Sequence, residues 1–172
     1  RMETMKNLVV FFALLGATPA LFGGTSDPKD RGASLETRLR LVEDQMAIER
    51  VLKEYGRTLD ARDFAAYAAL FAREGEWKGA LGSYKGPAAI QAAMEKIFAD
   101  AAADIPKGRN FHVMSNFIID VQGNRATARS TFIFYKLNGS VPEAAVAGRY
   151  EDELVRESGA WKFLRRTALP PG

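Results

Sequence analysis

Residues 110–137, NFHVMSNFIIDVQGNRATARSTFIFYKL, separate an α+β reading from an all-helical one. Two runs rich in β-branched and aromatic residues flank Gly123-Asn124, which is a hairpin signal. AAVAGRYEDELVRE and WKFLRRTAL, broken at Ser158-Gly159, repeat the device downstream. Upstream the period changes. Leu35, Leu39, Val42, Met46, Ile48, Val51, Leu52, Tyr55 and Leu59 recur at three- and four-residue steps, which predicts one long helix with a single buried stripe, started by Ser34 as its cap. DFAAYAALFA continues as a short second helix with Phe64, Tyr67, Leu70 and Phe71 inward. Glu74 to Ala80 reads as a strand, LGSYKG as a turn, and Pro87 opens a third helix running to about Asp104. Helices first and a strand meander after them make an α+β fold, with the helices on one face of a curved antiparallel sheet.

The rest of the chain bounds what this domain does. Residues 2–24 place Lys6 before an apolar run from Leu8 to Leu15, then small residues and Pro19, the three-part pattern of a signal peptide. This predicts an exported protein, periplasmic or secreted, with 25–33 as a linker, 34–168 as one domain, and no stable membrane insertion after cleavage. Net charge is +3, or +2 without residues 1–24, and basic residues are interleaved with acidic ones, so nucleic acid is not an expected partner. One histidine and no cysteine make a protein-built transition-metal site improbable. No phosphate loop, nucleophile elbow or dinucleotide fingerprint occurs, and no cofactor is expected.

YGRTLDARDFAAYAALFAREGEW, YKGPAAI, HVMSN, ATARSTF and GRYEDELVRESGAWKFLRR, in that order, resemble the SnoaL-like branch of the nuclear transport factor 2-like superfamily, relatives of scytalone dehydratase and the bile-acid dehydratases. The resemblance runs from about Leu35 to Thr167. It implies a cone-shaped α+β barrel whose bent sheet surrounds a deep apolar pocket, and self-association as a homodimer or homotrimer through the outer sheet face. It also implies a site: a Tyr and an Asp five residues apart at the end of the first helix and a His from a central strand, here Tyr55, Asp60 and His112. Arg149 matches, weakly, an arginine that lines the pocket in some members.

Those residue types suit one chemistry. An imidazole titrates at about 6.5 when unperturbed, so His112 is suited to exchange a proton near neutrality. Asp60 accepting from it would hold the tautomer that leaves the other ring nitrogen as a base. A Tyr55 hydroxyl would donate to a carbonyl oxygen as charge develops there. The combination fits loss of water from a hydroxylated substrate, or isomerisation beside a carbonyl. Strand alternation puts Asn116 on the face of His112. Trp77 and Phe132 belong to an aromatic supply suited to a hydrophobic or cyclic ligand, polyketide-, steroid- or terpenoid-like. Each residue also has a plain reading: Asp60 or Asp63 as a helix cap, Tyr55 as core, His112 as a buried histidine with satisfied hydrogen bonds. A non-catalytic exported binding protein of the same fold is the competing reading.

Overall fold

The computed structural model describes residues 28–171, with side chains from residue 34. The signal-peptide reading of 2–24 lies outside the described residues. The elements are α1 (Pro28–Asp60), α2 (Phe64–Ala69), β1 (Phe71–Gly79), β2 (Gly82–Lys85), α3 (Pro87–Asp100), β3 (Asn110–Gln122), β4 (Arg125–Asn138), β5 (Val141–Glu157) and β6 (Ala160–Leu169). One six-stranded sheet has the order β2-β1-β6-β5-β4-β3. Neighbours are antiparallel except β1 and β6, which run parallel.

Both predicted hairpins form, about Gly123-Asn124 and Ser158-Gly159. Five expectations need correction. The helix begins at Pro28 rather than at a Ser34 cap, so part of the expected linker is helical. LGSYKG contributes strand β2, paired with β1. The third helix stops at Asp100, and Phe71 opens a strand while remaining buried. Finally, the stripe on α1 is not wholly buried: Ile48, Leu52, Tyr55 and Leu59 enter the core, whereas Leu35, Leu39, Val42 and Met46 are exposed.

The sheet curls around α1 because its long strands carry bulges. The pairing shifts register at Ser115/Ile118 in β3, at Phe134/Tyr135 between β4 and β5, and at Glu153/Leu154 between β5 and β6. Each bulge bends its strand and adds local twist. Each also moves the following side chains to the opposite face, because the strand period is two. On the concave side Ile48, Leu52, Tyr55, Tyr67, Phe71, Trp77, Ile90, Met94, Phe132, Tyr150, Leu154, Trp161 and Phe163 form the core.

Asp44 pins the middle of α1 to the far hairpin, accepting from Arg156 Nη2 and, at 3.1 Å, from Trp161 Nε1. Burial pushes its carboxyl up, but the hydrogen bonds from Arg156 and Trp161 and the Arg156 charge outweigh this and hold it below its ordinary 3.8. A carboxyl depressed in the folded state contributes stability that is present above its unfolded pKa and is lost as pH falls through its folded one. Asp44→Asn is therefore expected to melt below the wild type at neutral pH, and the gap is expected to close in acid. Melting temperatures of both proteins across the acid range check this; a gap that stays constant with pH would show that the carboxylate charge contributes nothing.

Candidate functional site

The junction after α1 answers the question of two aspartates. Asp63 is the cap of α2, its carboxylate accepting from Ala66 N at 3.0 Å. Asp60 is the last residue of α1, and the turn behind it is closed by Ala61, Arg62 and Asp63 donating to Arg57, Leu59 and Thr58 carbonyls. Arg62 takes a positive φ of 58° there. The chain reverses without using the Asp60 side chain, which is left to turn toward β3.

Its carboxylate is held from three sides. Oδ1 accepts from Asn110 Nδ2 at 3.0 Å and lies 2.6 Å from His112 Nδ1, while Oδ2 accepts from the His112 backbone N–H at 2.7 Å. An ionised carboxylate only accepts, so Nδ1 is the donor in this contact, and in the neutral ring the lone pair is then on Nε2. The pair is well buried: the side chains keep 8% exposure for His112 and 18% for Asp60. A second layer fixes the first. Asn110 Oδ1 accepts from Arg62 Nη2 at 2.9 Å, and Arg62 also donates to the Leu59 and Ile105 carbonyls. The Arg62 guanidinium lies 3.6 Å from the centre of the Phe98 ring, which stacks on Phe64. Burial lowers the Arg62 pKa somewhat, against the pull of Asp60.

Close approach of backbone to side chain sets the imidazole in place. At Gly56 α1 packs directly on β3: a Cβ there would stand in ordinary contact with His112 Cβ, at 3.4 Å. A Cβ on Gly148 would fall 2.6 Å from the Phe132 ring. That ring can therefore lie flat over β5, stacked on Tyr150 at 4.5 Å and 6.4 Å from His112. Phe134 is nearer the imidazole, at 4.8 Å.

Tyr55 is buried deeper. Its hydroxyl accepts from Trp77 Nε1 at 2.9 Å, and its ring packs against Tyr67, Tyr150 and Phe163. Tyr150 and Phe132 stand between this cluster and His112, so the three residues of the motif share one interior without touching as a group. At the centre of the cluster is Arg166, fully buried, with Nε and Nη2 each 2.8 Å from the Asp152 carboxylate. Its guanidinium lies 3.9 Å from the Tyr55 ring centre and 4.0 Å from that of Tyr150. Arg166 Nη1 and the Tyr67 hydroxyl have no hydrogen-bond partner. Burial pushes both the Tyr67 and Tyr150 phenols well above the usual range. Burial opposes the Arg166 charge, yet Asp152 opposite keeps its pKa above the ordinary value.

Two expected site residues lie elsewhere. Asn116 sits on the β3 bulge with φ 54° and is exposed; the bulge breaks the alternation that put it beside His112, and sends Phe117 and Ile119 toward the core instead. Arg149 points away from the concave side, with its side chain 41% exposed, donating to the Pro170 carbonyl and paired with Glu151. Trp77 and Phe132 are buried among the core aromatics. Arg166 was missed because strict alternation from Trp161 and Phe163 points Arg165 inward, and the register shift there exchanges the two. Asn110 and Arg62 carried no separate signal. The expected deep pocket is in large part filled by Tyr55, Tyr67, Tyr150, Phe163 and Arg166. Two open grooves, of about 480 and 570 Å³, lie on the sheet surface around Arg129 and Arg165 and between α1 and the β3–β4 turn; neither includes Asp60 or His112.

The SnoaL-like domain family matches residues 40–167. Among solved structures, the chain is similar to a nuclear transport factor 2-like protein with a cystatin-like fold from Novosphingobium aromaticivorans, at 26% identity over 84% of this chain and 90% of that one, with a TM-score of 0.71. It is also similar to a putative scytalone dehydratase from the same organism, at 28% identity over 78% and 96% of the two chains, TM-score 0.62. ActVI-ORFA from Streptomyces coelicolor shares the fold at 22% identity over 74% and 94%, TM-score 0.66. No curated protein matches the chain significantly.

Proposed function

Because the chain belongs to the SnoaL-like domain family, we propose that it is a small-molecule lyase of the dehydratase type, with Asp60 and His112 as its proton-transfer pair. The observation that carries this is the 2.6 Å contact between His112 Nδ1 and an Asp60 oxygen whose carboxylate is held by two further donors. A caged carboxylate on one ring nitrogen fixes the tautomer and makes the other nitrogen the base. His112 Nε2 removes a proton from the carbon next to a carbonyl, and the imidazolium so formed is stabilised by Asp60. The same proton then goes to the departing hydroxyl, so that water leaves, a double bond forms and the histidine is neutral again.

The substrate in this reading is a cyclic, largely apolar compound with a hydroxyl placed β to a carbonyl, polyketide-, steroid- or terpenoid-like. Support for that class comes from the aromatic neighbours of the imidazole, Phe132 and Phe134, and from the likeness to a protein described as a putative scytalone dehydratase. The Tyr55 hydroxyl accepts from Trp77 inside the aromatic cluster, with Tyr150 and Phe132 between it and the imidazole, so this reading rests on Asp60 and His112 without it. Cofactor-free isomerisation would use the same base with the proton returned to a different carbon. Export of the mature domain belongs to the same proposal and rests on residues 2–24.

A binding protein without turnover is the second reading, favoured by the two open grooves that lie away from Asp60 and His112. A panel of hydroxylated cyclic ketones, followed by the absorbance of the conjugated product, separates the two. Water loss catalysed by the wild type and lowered about 10²–10⁴-fold in His112→Ala is the expected result; equal rates in the two proteins, or ligand binding with no product, would overturn the enzyme reading.

A further inference from the structure

We propose that the N-terminal half of α1 is a docking surface for a second copy of this chain, the two helices pairing in parallel as a short coiled coil. The helix carries two apolar stripes, and one domain buries only one of them. Leu35, Leu39, Val42 and Met46 are 62%, 58%, 51% and 66% exposed. At 100° per residue they fall within an arc of roughly 60°, whereas Ile48, Leu52, Tyr55 and Leu59 are centred about 140° away. Asp44, the residue that ties this part of α1 to Arg156 and Trp161, lies roughly opposite the exposed stripe. The stripe therefore faces away from the protein's own sheet, and no described residue covers it.

The spacing names the kind of partner. Steps of four, three and four residues are those of alternating d and a positions in a heptad, with Leu35 and Val42 at d and Leu39 and Met46 at a. The next two positions in that series are Glu49 and Lys53, which pair with each other at 2.6 Å, so the apolar seam ends where the helix enters the fold. A polar outer face is the norm for a surface helix, and among the described residues nothing covers this stripe.

Charge decides for a second copy in parallel. In this frame Arg38 is at g and Glu43 at e, and a parallel pair sets each Arg38 against Glu43 of the partner subunit, twice by symmetry. An antiparallel pair would set like charges together. Among the described residues neither Arg38 nor Glu43 makes an ion pair, whereas the neighbouring Glu36 is engaged by Arg40 on its own helix. Two heptads are fewer than a self-sufficient coiled coil sustains, so the association is weak and concentration-dependent, and covalent trapping is the suitable readout. This surface is separate from the outer sheet face expected to mediate self-association.

The chain has no cysteine, so single-cysteine variants of the full chain report one position each. Leu35→Cys and Val42→Cys stand at d, where counterparts in a parallel pair fall within disulfide reach, about 4.4–6.8 Å between Cα atoms. Thr37→Cys is an exposed control on the opposite side of the helix. All three lie outside the core, and circular dichroism checks that each folds. Mild oxidation is expected to trap a covalent dimer of Leu35→Cys and of Val42→Cys at least about tenfold faster than of Thr37→Cys. No dimer, or equal trapping at all three positions, would overturn the proposal. Trapping confined to a mixture of Leu35→Cys with Met46→Cys would report the antiparallel arrangement and also overturn it. So would recovery of the wild type on anionic phospholipid vesicles, abolished by Val42→Glu, with no trapping at the d positions: the stripe would then lie on lipid.

Discussion

Asp60→Asn is expected to lower kcat for the proposed dehydration by about 10²–10⁴-fold while leaving a folded protein. The carboxylate accepts three hydrogen bonds, from Asn110 Nδ2, His112 Nδ1 and the His112 backbone N–H. A carboxamide accepts at one oxygen only and presents N–H groups at the other position. Either it opposes a donor, or the imidazole changes tautomer, accepts at Nδ1 and carries its proton on Nε2. In that form the ring cannot take a proton from substrate. The structural loss is that of one imperfectly satisfied buried group, about 1–3 kcal/mol, which a domain of ordinary stability survives. Circular dichroism with steady-state kinetics checks both halves. A helix cap in the same place would predict no loss at all, because asparagine caps about as well as aspartate. That role belongs to Asp63, so an active, stable Asp60→Asn protein would mean the pair does not transfer protons.

Arg166→Met is expected to cost about 3–5 kcal/mol of folding stability. The guanidinium and the Asp152 carboxylate are both at 0% side-chain exposure, joined by two 2.8 Å hydrogen bonds, with aromatic rings around the cation. Removing the cation strands a buried carboxylate. Burial already pushes the Asp152 carboxyl up against the pull of Arg166. A carboxyl raised in the folded state contributes stability that is present below its unfolded pKa and lost as pH rises through its folded one, so the deficit of the single variant widens toward neutral pH. The double variant Arg166→Met, Asp152→Leu removes both charges at similar volume and is expected to recover most of the loss, since buried ion pairs replaced by apolar residues are often neutral or better. Urea denaturation of the three proteins at neutral and acid pH reads the result. Equal stability of the single variant and the wild type would refute the description of this pair as a buried, mutually dependent unit.

The two variants probe different regions of one interior, and the sequence announced them unequally. Asp60 and His112 are 52 residues apart along the chain and meet because α1 packs on β3. Their pairing was legible through the family motif, and the junction LDARD offered two aspartates where one cap suffices. Arg166 was not legible. It looks like one of two surface arginines at the end of a strand, and only the register shift between β5 and β6 turns it inward.

Local patterns determined the elements and their order: the long helix, the short second one, both hairpins and the α+β class follow from period, caps and turn residues, which act over a few neighbours. The family motif placed Tyr55, Asp60 and His112 in one interior. Tertiary structure alone decided which face each strand presents after a bulge, because one extra residue inverts the alternation of everything beyond it. It removed Asn116 from the site, brought Arg166 in, and set Arg149 outside. It also decided which of the two apolar stripes on α1 is buried, since the sheet covers only one face of the helix and no described residue covers the other.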